Sequence, residues 1–115
     1  MTHRTIDEFK AERKALTELT LDRANLEIKR FFSLDTQAYR EGALPVRTKE
    51  MLGLVASMVL RCDDCIFYHL DRCHEEGVST EELQEAMSIA LVVGGSIVIP
   101  HLRRAVRAWE ELIAE

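Results

Sequence analysis

The sequence predicts an all-α fold of about five to seven helices. No stretch alternates apolar and polar residues with the period of two that marks a half-buried strand, and no turn pair marks a β-hairpin. Apolar residues instead recur three and four positions apart along most of the chain, which is the spacing of one helical face. No internal repeat is visible.

Two or three helices are predicted in residues 1–43. Thr5 and Glu8 have the spacing of a capping box, so a first helix should run from Ile6 to about Leu19. Its apolar stripe is thin, which predicts a surface helix. A second helix is expected over Asp22–Phe32, and a short third over Thr36–Glu41, ending at the glycine that follows.

The segment Thr48–Leu60 is the most apolar of the chain. A helix that is apolar all round is a central one, and this segment leaves almost no polar face. Glu50 lies in its first turn, where the spacing alone favours a surface carboxylate facing the positive end of the helix. The apolar residues are Met51, Leu52, Leu54, Val55, Ala56, Met58, Val59 and Leu60.

The next helix follows an interruption at Arg61 and Cys62. Asp63 or Asp64 can cap it, and it should continue to Glu76 and stop at a glycine. The cysteines at positions 62 and 65 therefore lie in or just before the first turn of a helix.

Two further helices complete the predicted fold. Ser79 and Glu82 form another capping box, which opens a helix to about Val93. The last helix is expected over Ser96–Ile113, with Pro100 near its first turn, where proline does least harm. The residues predicted to face inward from the first of these helices are Leu83, Ala86, Met87, Ile89, Ala90 and Leu91.

Length and composition limit the classes of protein. A chain of 115 residues fits one domain, here 1–115, with N-terminal helices in 1–43 and the core in 44–113. Apolar residues make up 47%, which argues for a packed fold and against disorder. The net charge of −5 argues against a nucleic-acid partner. No signal peptide and no membrane span are recognisable, so a cytoplasmic protein is expected.

The segment 62–69 carries the chemistry, as Cys62-x-x-Cys65-x-x-x-His69. On a helix the two thiols and the imidazole fall within roughly 60° of one another. A Cys-x-x-Cys pair can close a disulfide across one turn, and a helix N-terminus favours the thiolate. His69, one turn beyond Cys65, is placed to exchange a proton with that thiol. We therefore predict thiol redox chemistry, with a reversible Cys62–Cys65 disulfide that leaves Cys73 outside.

Two other interpretations of these residues remain open. The cysteines could be buried and inert, as cysteines often are. They could also bind structural zinc, with Cys73 as a further ligand on the same face. Ligands along one straight helix lie in a line, however, whereas tetrahedral zinc needs donors that converge from two elements.

A longer pattern surrounds the motif. Glu50, eleven intervening residues, Cys62-x-x-Cys65-x-x-x-His69-x-x-x-Cys73 and Gly77 resemble the core signature of the AhpD-like (alkylhydroperoxidase D-like) branch of the carboxymuconolactone decarboxylase family. The segments 44–50 and 77–95 are similar to that family too. The resemblance covers roughly residues 40 to 110.

This resemblance implies an AhpD-like multi-helical bundle that assembles as a homo-trimer or homo-hexamer. It implies a thiol-disulfide oxidoreductase of peroxidase type, which reduces hydroperoxides or disulfides. A dithiol donor, such as a lipoyl or thioredoxin-like protein, re-reduces such enzymes, and neither cofactor nor metal is expected.

Carried over residue by residue, the resemblance assigns a role to each site residue. Cys65 is the attacking thiol and Cys62 its resolving partner. His69 accepts the proton, and Glu50 orients and charges His69. On this basis Glu50 changes from an expected surface residue to an expected site residue.

Two departures from the family pattern bear on activity. The residue before the second cysteine is often aromatic or histidine in relatives, but here it is Asp64, beside Asp63. The two carboxylates oppose thiolate formation. Peroxidase turnover is therefore expected to be poor. Cys73 replaces a small residue and is interpreted as a packing residue.

Other functions and other histidines have weaker support. A lactone decarboxylase is a second enzymatic hypothesis, although that branch does not depend on a cysteine pair. A non-catalytic, oligomeric redox sensor is a third. His3 and His74 are expected to be solvated, and His101 to lie on the surface or in packing, with a pocket position as the alternative. Trp109 is expected in the core or at a subunit interface.

Overall fold

The computed structural model describes residues 4–115, so the expectation for His3 lies outside the described residues. This range forms six α-helices and one short 3₁₀-helix, with bounds Ile6–Arg23 (α1), Leu26–Ala38 (α2), Val46–Val59 (α3), Asp63–Glu75 (α4), Thr80–Gly94 (α5), Ser96–Val98 (3₁₀) and Ile99–Ile113 (α6). The same range contains no β-strand. The prediction of an all-α fold is confirmed.

Both predicted capping boxes are present. The Thr5 and Ser79 side chains accept hydrogen bonds from the backbone N–H groups of Glu8 and Glu82, and the two glutamates bond back. The first helix is a surface helix, as predicted, because only Ile6 and one further side chain are buried along it. It continues four residues beyond the expected end, to Arg23.

The prediction of two short helices between Asp22 and Glu41 was wrong. A single helix, α2, occupies this stretch and begins after Asn25, whose side chain accepts a hydrogen bond from the Ile28 N–H. The helix continues through the expected gap at residues 33–35, where the Ser33 hydroxyl accepts a hydrogen bond from the Gln37 side chain one turn on. Thr36 donates its hydroxyl to the Phe32 carbonyl.

The core is built by four helices. α3 packs against α4 and α5, and α4 also packs against α6. The first helix, α1, adds Ile6 and Phe9 to this core. The buried apolar residues are Ile6, Phe9, Leu54, Met58, Ile66, Phe67, Leu70, Cys73, Val78, Leu83, Met87, Ala90, Val98, Ala105, Ala108, Trp109 and Leu112.

One face of α3 and α5 is exposed, so α3 is central in the helix packing without being covered all round. Leu52 is 55% exposed and Leu60 76% exposed, whereas the polar residues Glu50 and Ser57 of the same helix are buried. Ile89 of α5, expected to face inward, is 56% exposed. Apolar character alone does not say which face of a helix meets its neighbours.

The chain end folds as expected, with one adjustment. The predicted helix over Ser96–Ile113 is divided into a 3₁₀ turn and α6, with Pro100 in the first turn of α6. Trp109 is buried, in line with its core assignment, and donates its indole N–H to the Thr80 hydroxyl at 2.9 Å. Over residues 4–115, none of the helices combines the length and apolarity needed to cross a membrane.

Candidate active site

A very short connection between α3 and α4 positions the cysteine pair. The Arg61 N–H donates to the Met58 carbonyl at 3.0 Å, and the Cys62 N–H donates to the Ser57 carbonyl at 3.1 Å. These are the two hydrogen bonds of a Schellman motif. Arg61 occupies the left-handed position of this motif, with φ 60°. The turn brings Cys62 directly to the start of the next helix.

Cys62 is the N-cap of α4. Its sulfur accepts a hydrogen bond from the Cys65 backbone N–H at 3.2 Å. The prediction that Asp63 or Asp64 caps this helix was wrong. Cys62 has the extended backbone of a cap, with φ −102° and ψ 98°, whereas the two aspartates already lie inside the helix.

Cys62 and Cys65 are joined by a disulfide, with their Cα atoms 5.3 Å apart. Cys65 is exposed, and Cys62 is partly buried. Cys73 is a free thiol in the core, and burial, followed by the charge of Glu50, raises its pKa to about 12. The predicted pairing, with Cys73 outside it, is confirmed. Its reversibility stays a prediction.

A buried carboxylate supports the histidine. Glu50 is 1% exposed and His69 8% exposed, and Glu50 Oε1 lies 2.8 Å from His69 Nδ1. The surface position that spacing alone favoured for Glu50 was therefore wrong. Because α3 begins at Val46, two residues earlier than expected, Glu50 lies in its second turn, on the side that packs against α4.

Glu50 has a second partner that the sequence analysis missed. Arg72, one turn after His69 on α4, places its Nε 3.3 Å from the other carboxylate oxygen of Glu50. A buried carboxylate is stable only when its charge is matched and its oxygens are hydrogen-bonded. The i, i+3 spacing from His69 to Arg72 was visible in the sequence. It indicates a shared partner only once Glu50 is known to be buried between the two side chains.

The other side of the imidazole faces α2. The Tyr39 hydroxyl lies 3.4 Å from His69 Nε2, and the two rings are 5.4 Å apart. Gly53 of α3 leaves the space for this approach. A Cβ at that position would lie 2.6 Å from both His69 Cε1 and the Tyr39 hydroxyl oxygen.

Cys65 and His69 line one open cleft of about 370 Å³. The sequence predicted that these two side chains share one face of a helix, and in the structure that face borders the cleft. Its walls come from α1, α2 and α4, and the other lining residues are Phe9, Glu12, Arg13, Leu16, Thr17, Thr20, Phe32, Asp35, Asp64 and Tyr68.

Cations bind both carboxylates beside the cysteines. Asp63 accepts from Arg104 Nε at 2.8 Å and lies 2.8 Å from His101 Nδ1. Asp64 accepts from Arg4 at 2.6 Å. These ion pairs offset the negative charge that was expected to oppose thiolate formation.

The remaining histidines take structural positions. His101 is among the residues that bind Asp63 and does not line the cleft. His74, expected to be solvated, is partly buried, with its ring edge-on to Trp109 at 5.8 Å. Within the part of the chain that the structure describes, no three His, Cys, Asp or Glu side chains converge as a metal site would require.

Comparison with known proteins identifies the family. The model of the carboxymuconolactone decarboxylase family matches residues 28–110. A crystal structure of a Thermotoga maritima protein of that family, with a suggested role in antioxidative response, is 62% identical. It covers 92% of this chain and 90% of its own, with a TM-score of 0.89.

Two more distant relatives resemble this chain, one in fold and the other in sequence. A family member from Legionella pneumophila is 23% identical and has the same fold, with a TM-score of 0.86 over 93% of this chain and 96% of its own. An uncharacterised protein of the Paracoccus denitrificans cox locus is 27% identical over 71% of this chain and 74% of its own length. Since the family model matches well over half of the sequence, the chain belongs to the carboxymuconolactone decarboxylase family, in agreement with its resemblance to the AhpD-like branch.

Proposed function

We propose that the protein is a thiol-disulfide oxidoreductase of the alkylhydroperoxidase type, which reduces hydroperoxides or disulfides. The observation that carries this proposal is the position of Cys65. This half of the disulfide is exposed in a cleft that His69 also lines, and Nδ1 of that imidazole is bound to a buried carboxylate. An accessible sulfur next to a supported base is the arrangement that activates a thiol.

The proposed reduction begins with both cysteines as thiols. His69 Nε2 takes the Cys65 proton, and the thiolate attacks the terminal oxygen of the hydroperoxide. The O–O bond breaks, the alcohol leaves with the proton returned by His69, and Cys65 becomes a sulfenic acid. The Cys62 thiol attacks that sulfur, water leaves, and the disulfide closes. The hydroperoxide gains two electrons and the cysteine pair loses two.

The proposed re-reduction by a dithiol donor begins at Cys65, because Cys65 is exposed and Cys62 is partly buried. A donor thiolate attacks the accessible sulfur of Cys65, and Cys62 leaves as a thiolate. The N-cap position of Cys62 favours that charge, because its sulfur already accepts the Cys65 N–H at the positive end of α4. The second donor thiol then releases Cys65. A lipoyl or thioredoxin-like protein is the proposed donor.

Peroxide consumption with a small dithiol as donor tests this function. Cys65→Ser should lower turnover to the uncatalysed rate, since no attacking thiol remains. Cys73→Ser is the matched control and should keep turnover, because Cys73 is buried and outside the disulfide. Reversible disulfide formation without any turnover would instead assign the protein to the redox sensors.

The Glu50–His69 pair is tested by the alkylation rate of reduced Cys65. His69→Ala and Glu50→Gln should each slow alkylation at neutral pH by about 10²-fold or more, because a positioned base contributes about 10² to 10⁴ in rate. Circular dichroism should show that both variants stay folded. Rates equal to the wild type in both would rule out the relay.

Assembly as a homo-trimer or homo-hexamer is part of the proposal. It is supported by the exposed apolar face of α3 and α5, on which Leu52, Leu60 and Ile89 lie. Contiguous apolar surface on a folded chain usually marks an interface, and closed symmetric homo-oligomers are the common solution.

A further inference from the structure

The proposed relay binds Nδ1 of the His69 ring to Glu50 and leaves Nε2 free to exchange a proton with Cys65. Glu50 binds Nδ1 at 2.8 Å. A carboxylate can only accept, so Nδ1 carries the hydrogen, and in the neutral ring Nε2 is left with a lone pair. The side chain that meets this lone pair is therefore a donor.

Tyr39 supplies that donor. Its hydroxyl oxygen lies 3.4 Å from His69 Nε2. Burial, with a contribution from the charge of Glu50, raises the pKa of Tyr39, so its hydroxyl keeps its proton at neutral pH. The distance is longer than that of a strong hydrogen bond, as is common at sites that tighten during reaction.

Three residues of α3 hold Tyr39 and His69 together. The Lys49 ammonium donates to the carbonyls of Ala38 at 2.9 Å and Arg40 at 2.6 Å, the two residues that flank Tyr39. The next residue, Glu50, binds His69. Gly53, one turn on, leaves room for both rings. These contacts matter because α2 buries no side chain of its own, so its C-terminal end needs another anchor.

We propose that Tyr39 is a positioning residue of the thiol site. Its hydroxyl donates to His69 Nε2 while the disulfide is closed, and accepts from Nε2–H after His69 has taken the Cys65 proton. This inference deepens the proposed function and rests on it, since it assumes that His69 is the base.

The exchange of roles needs no extra proton. The Cys65 proton moves from sulfur to His69 Nε2, and the Tyr39 hydroxyl turns its own hydrogen away from the ring. A tyrosine hydroxyl can both donate and accept, so it bonds to either form of the ring. Phenylalanine can bond to neither. Loss of the hydroxyl should cost most when the ring is charged, because hydrogen bonds to charged groups are the stronger ones.

The other charged groups around the pair come from four elements. Glu50 of α3 and Arg72 of α4 lie on the Nδ1 side. Asp35 of α2 lines the cleft, and the Arg13 guanidinium of α1 stacks on the Tyr68 ring at 4.0 Å. None of these side chains is altered by removing one hydroxyl from Tyr39.

Histidine ¹⁵N spectra of the full-length oxidised protein test the hydrogen bond directly, with His69→Gln to assign the signal. In Tyr39→Phe the Nε2 resonance should move towards that of a free, unprotonated ring nitrogen. Tyr68→Phe is the matched control. The Tyr68 ring also packs edge-on against His69, at 5.1 Å, but its hydroxyl makes no hydrogen bond to the imidazole. It should leave the Nε2 resonance in place.

Alkylation of Cys65 tests the consequence, in reduced protein that carries Cys62→Ser and Cys73→Ser so that one thiol remains. Tyr39→Phe should slow alkylation about threefold to tenfold at neutral pH and converge with its parent at high pH, where the thiolate forms unaided. Lys49→Met, which keeps the hydroxyl and removes its anchor, should shift the Nε2 resonance in the same direction by less. This second variant decides the matter if Tyr39→Phe does not fold.

The inference is overturned if Tyr39→Phe matches Tyr68→Phe in the Nε2 resonance and matches its own parent protein in the alkylation profile. Its failure is separable from that of the proposed function. Wild-type protein that consumes no peroxide contradicts the function, while the Nε2 resonance of the same sample still decides whether Tyr39 holds His69.

Discussion

At the scale of single residues, the charges of Asp63 and Asp64 are offset by arginines that are distant in the sequence. Both stand beside the cysteines, and in isolation their charges would disfavour a thiolate. In the fold, Arg104 of α6 binds Asp63 through its Nε at 2.8 Å, and Arg4 binds Asp64. The Arg104 side chain is only 16% exposed, so solvent screens this pair less than a surface pair.

The Arg104–Asp63 pair predicts a change in thiol reactivity. Arg104→Gln should slow alkylation of reduced Cys65 at neutral pH about threefold to tenfold, because the freed Asp63 charge opposes the thiolate. Arg103→Gln is the control, because Arg103 is an exposed neighbour that forms no ion pair with any residue in 4–115.

The double variant Asp63→Asn/Arg104→Gln should regain the wild-type alkylation rate, since neither charge remains. Slow alkylation that persists in the double variant would show that Arg104 acts through packing and not through Asp63.

At the scale of elements, the chain uses the same turn twice. Schellman motifs end both α3 and α4, with hydrogen bonds of 3.0 to 3.1 Å in each. The left-handed position is occupied by Gly77 after α4, with φ 79°, but by Arg61 after α3, with φ 60°. A side chain pays a steric cost in this conformation that glycine does not. The turn that places the disulfide is thus the more strained of the two.

This comparison predicts opposite effects on stability. Arg61→Gly should raise the free energy of unfolding by about 0.5 to 1 kcal/mol. Glycine relieves the left-handed strain, and the greater conformational entropy of glycine in the unfolded chain offsets part of that gain. Gly77→Ala should lower it by about 1 kcal/mol. A Cβ at position 77 meets no atom within 4 Å, so that effect is conformational and not a clash.

Urea unfolding of the oxidised protein, followed by circular dichroism, measures both changes. The dependence of the unfolding free energy on urea should be the same for all variants. A loss of stability in Arg61→Gly would indicate a side-chain contact that outweighs the strain.

At the scale of the whole molecule, two apolar surfaces face solvent. One lies on α3 and α5, where Leu60 is 76%, Val92 83% and Val93 67% exposed. The other is α2, which buries no side chain and leaves Phe31 68% and Leu34 63% exposed. Exposed apolar side chains in such numbers are costly in water, and association would remove that cost.

Sedimentation equilibrium at low micromolar concentration tests the proposed assembly. We expect a mass three or six times that of the 13.2 kDa chain. Val93→Glu should shift the protein towards the single chain, because it buries a charge in the proposed interface. Lys14→Gln changes the net charge by the same amount on α1 and should not alter the mass. A wild-type protein that sediments as one chain, folded and redox-active, would contradict the proposal.

How much of the site is predictable depends on how far apart its partners are in sequence. Cys62, Cys65 and His69 are within eight positions on one helix, so their shared face follows from helical geometry. Glu50 was paired with His69 only through the family resemblance, because its spacing alone indicates a surface position. Tyr39 is thirty positions from His69, and no local pattern connects them.

The sequence by itself determined the features that a few neighbouring residues decide. These are the helical class, the capping boxes at Thr5 and Ser79, the stop at Gly77 and the cysteine pair, each set by interactions within one or two turns. Only the tertiary structure decided that Glu50 is buried between His69 and Arg72, that Arg104 binds Asp63, and which apolar faces stay exposed. Those outcomes depend on how helices pack against one another. Packing lets a side chain that is distant in the sequence supply a charge, supply a hydrogen bond or shield an apolar face from water.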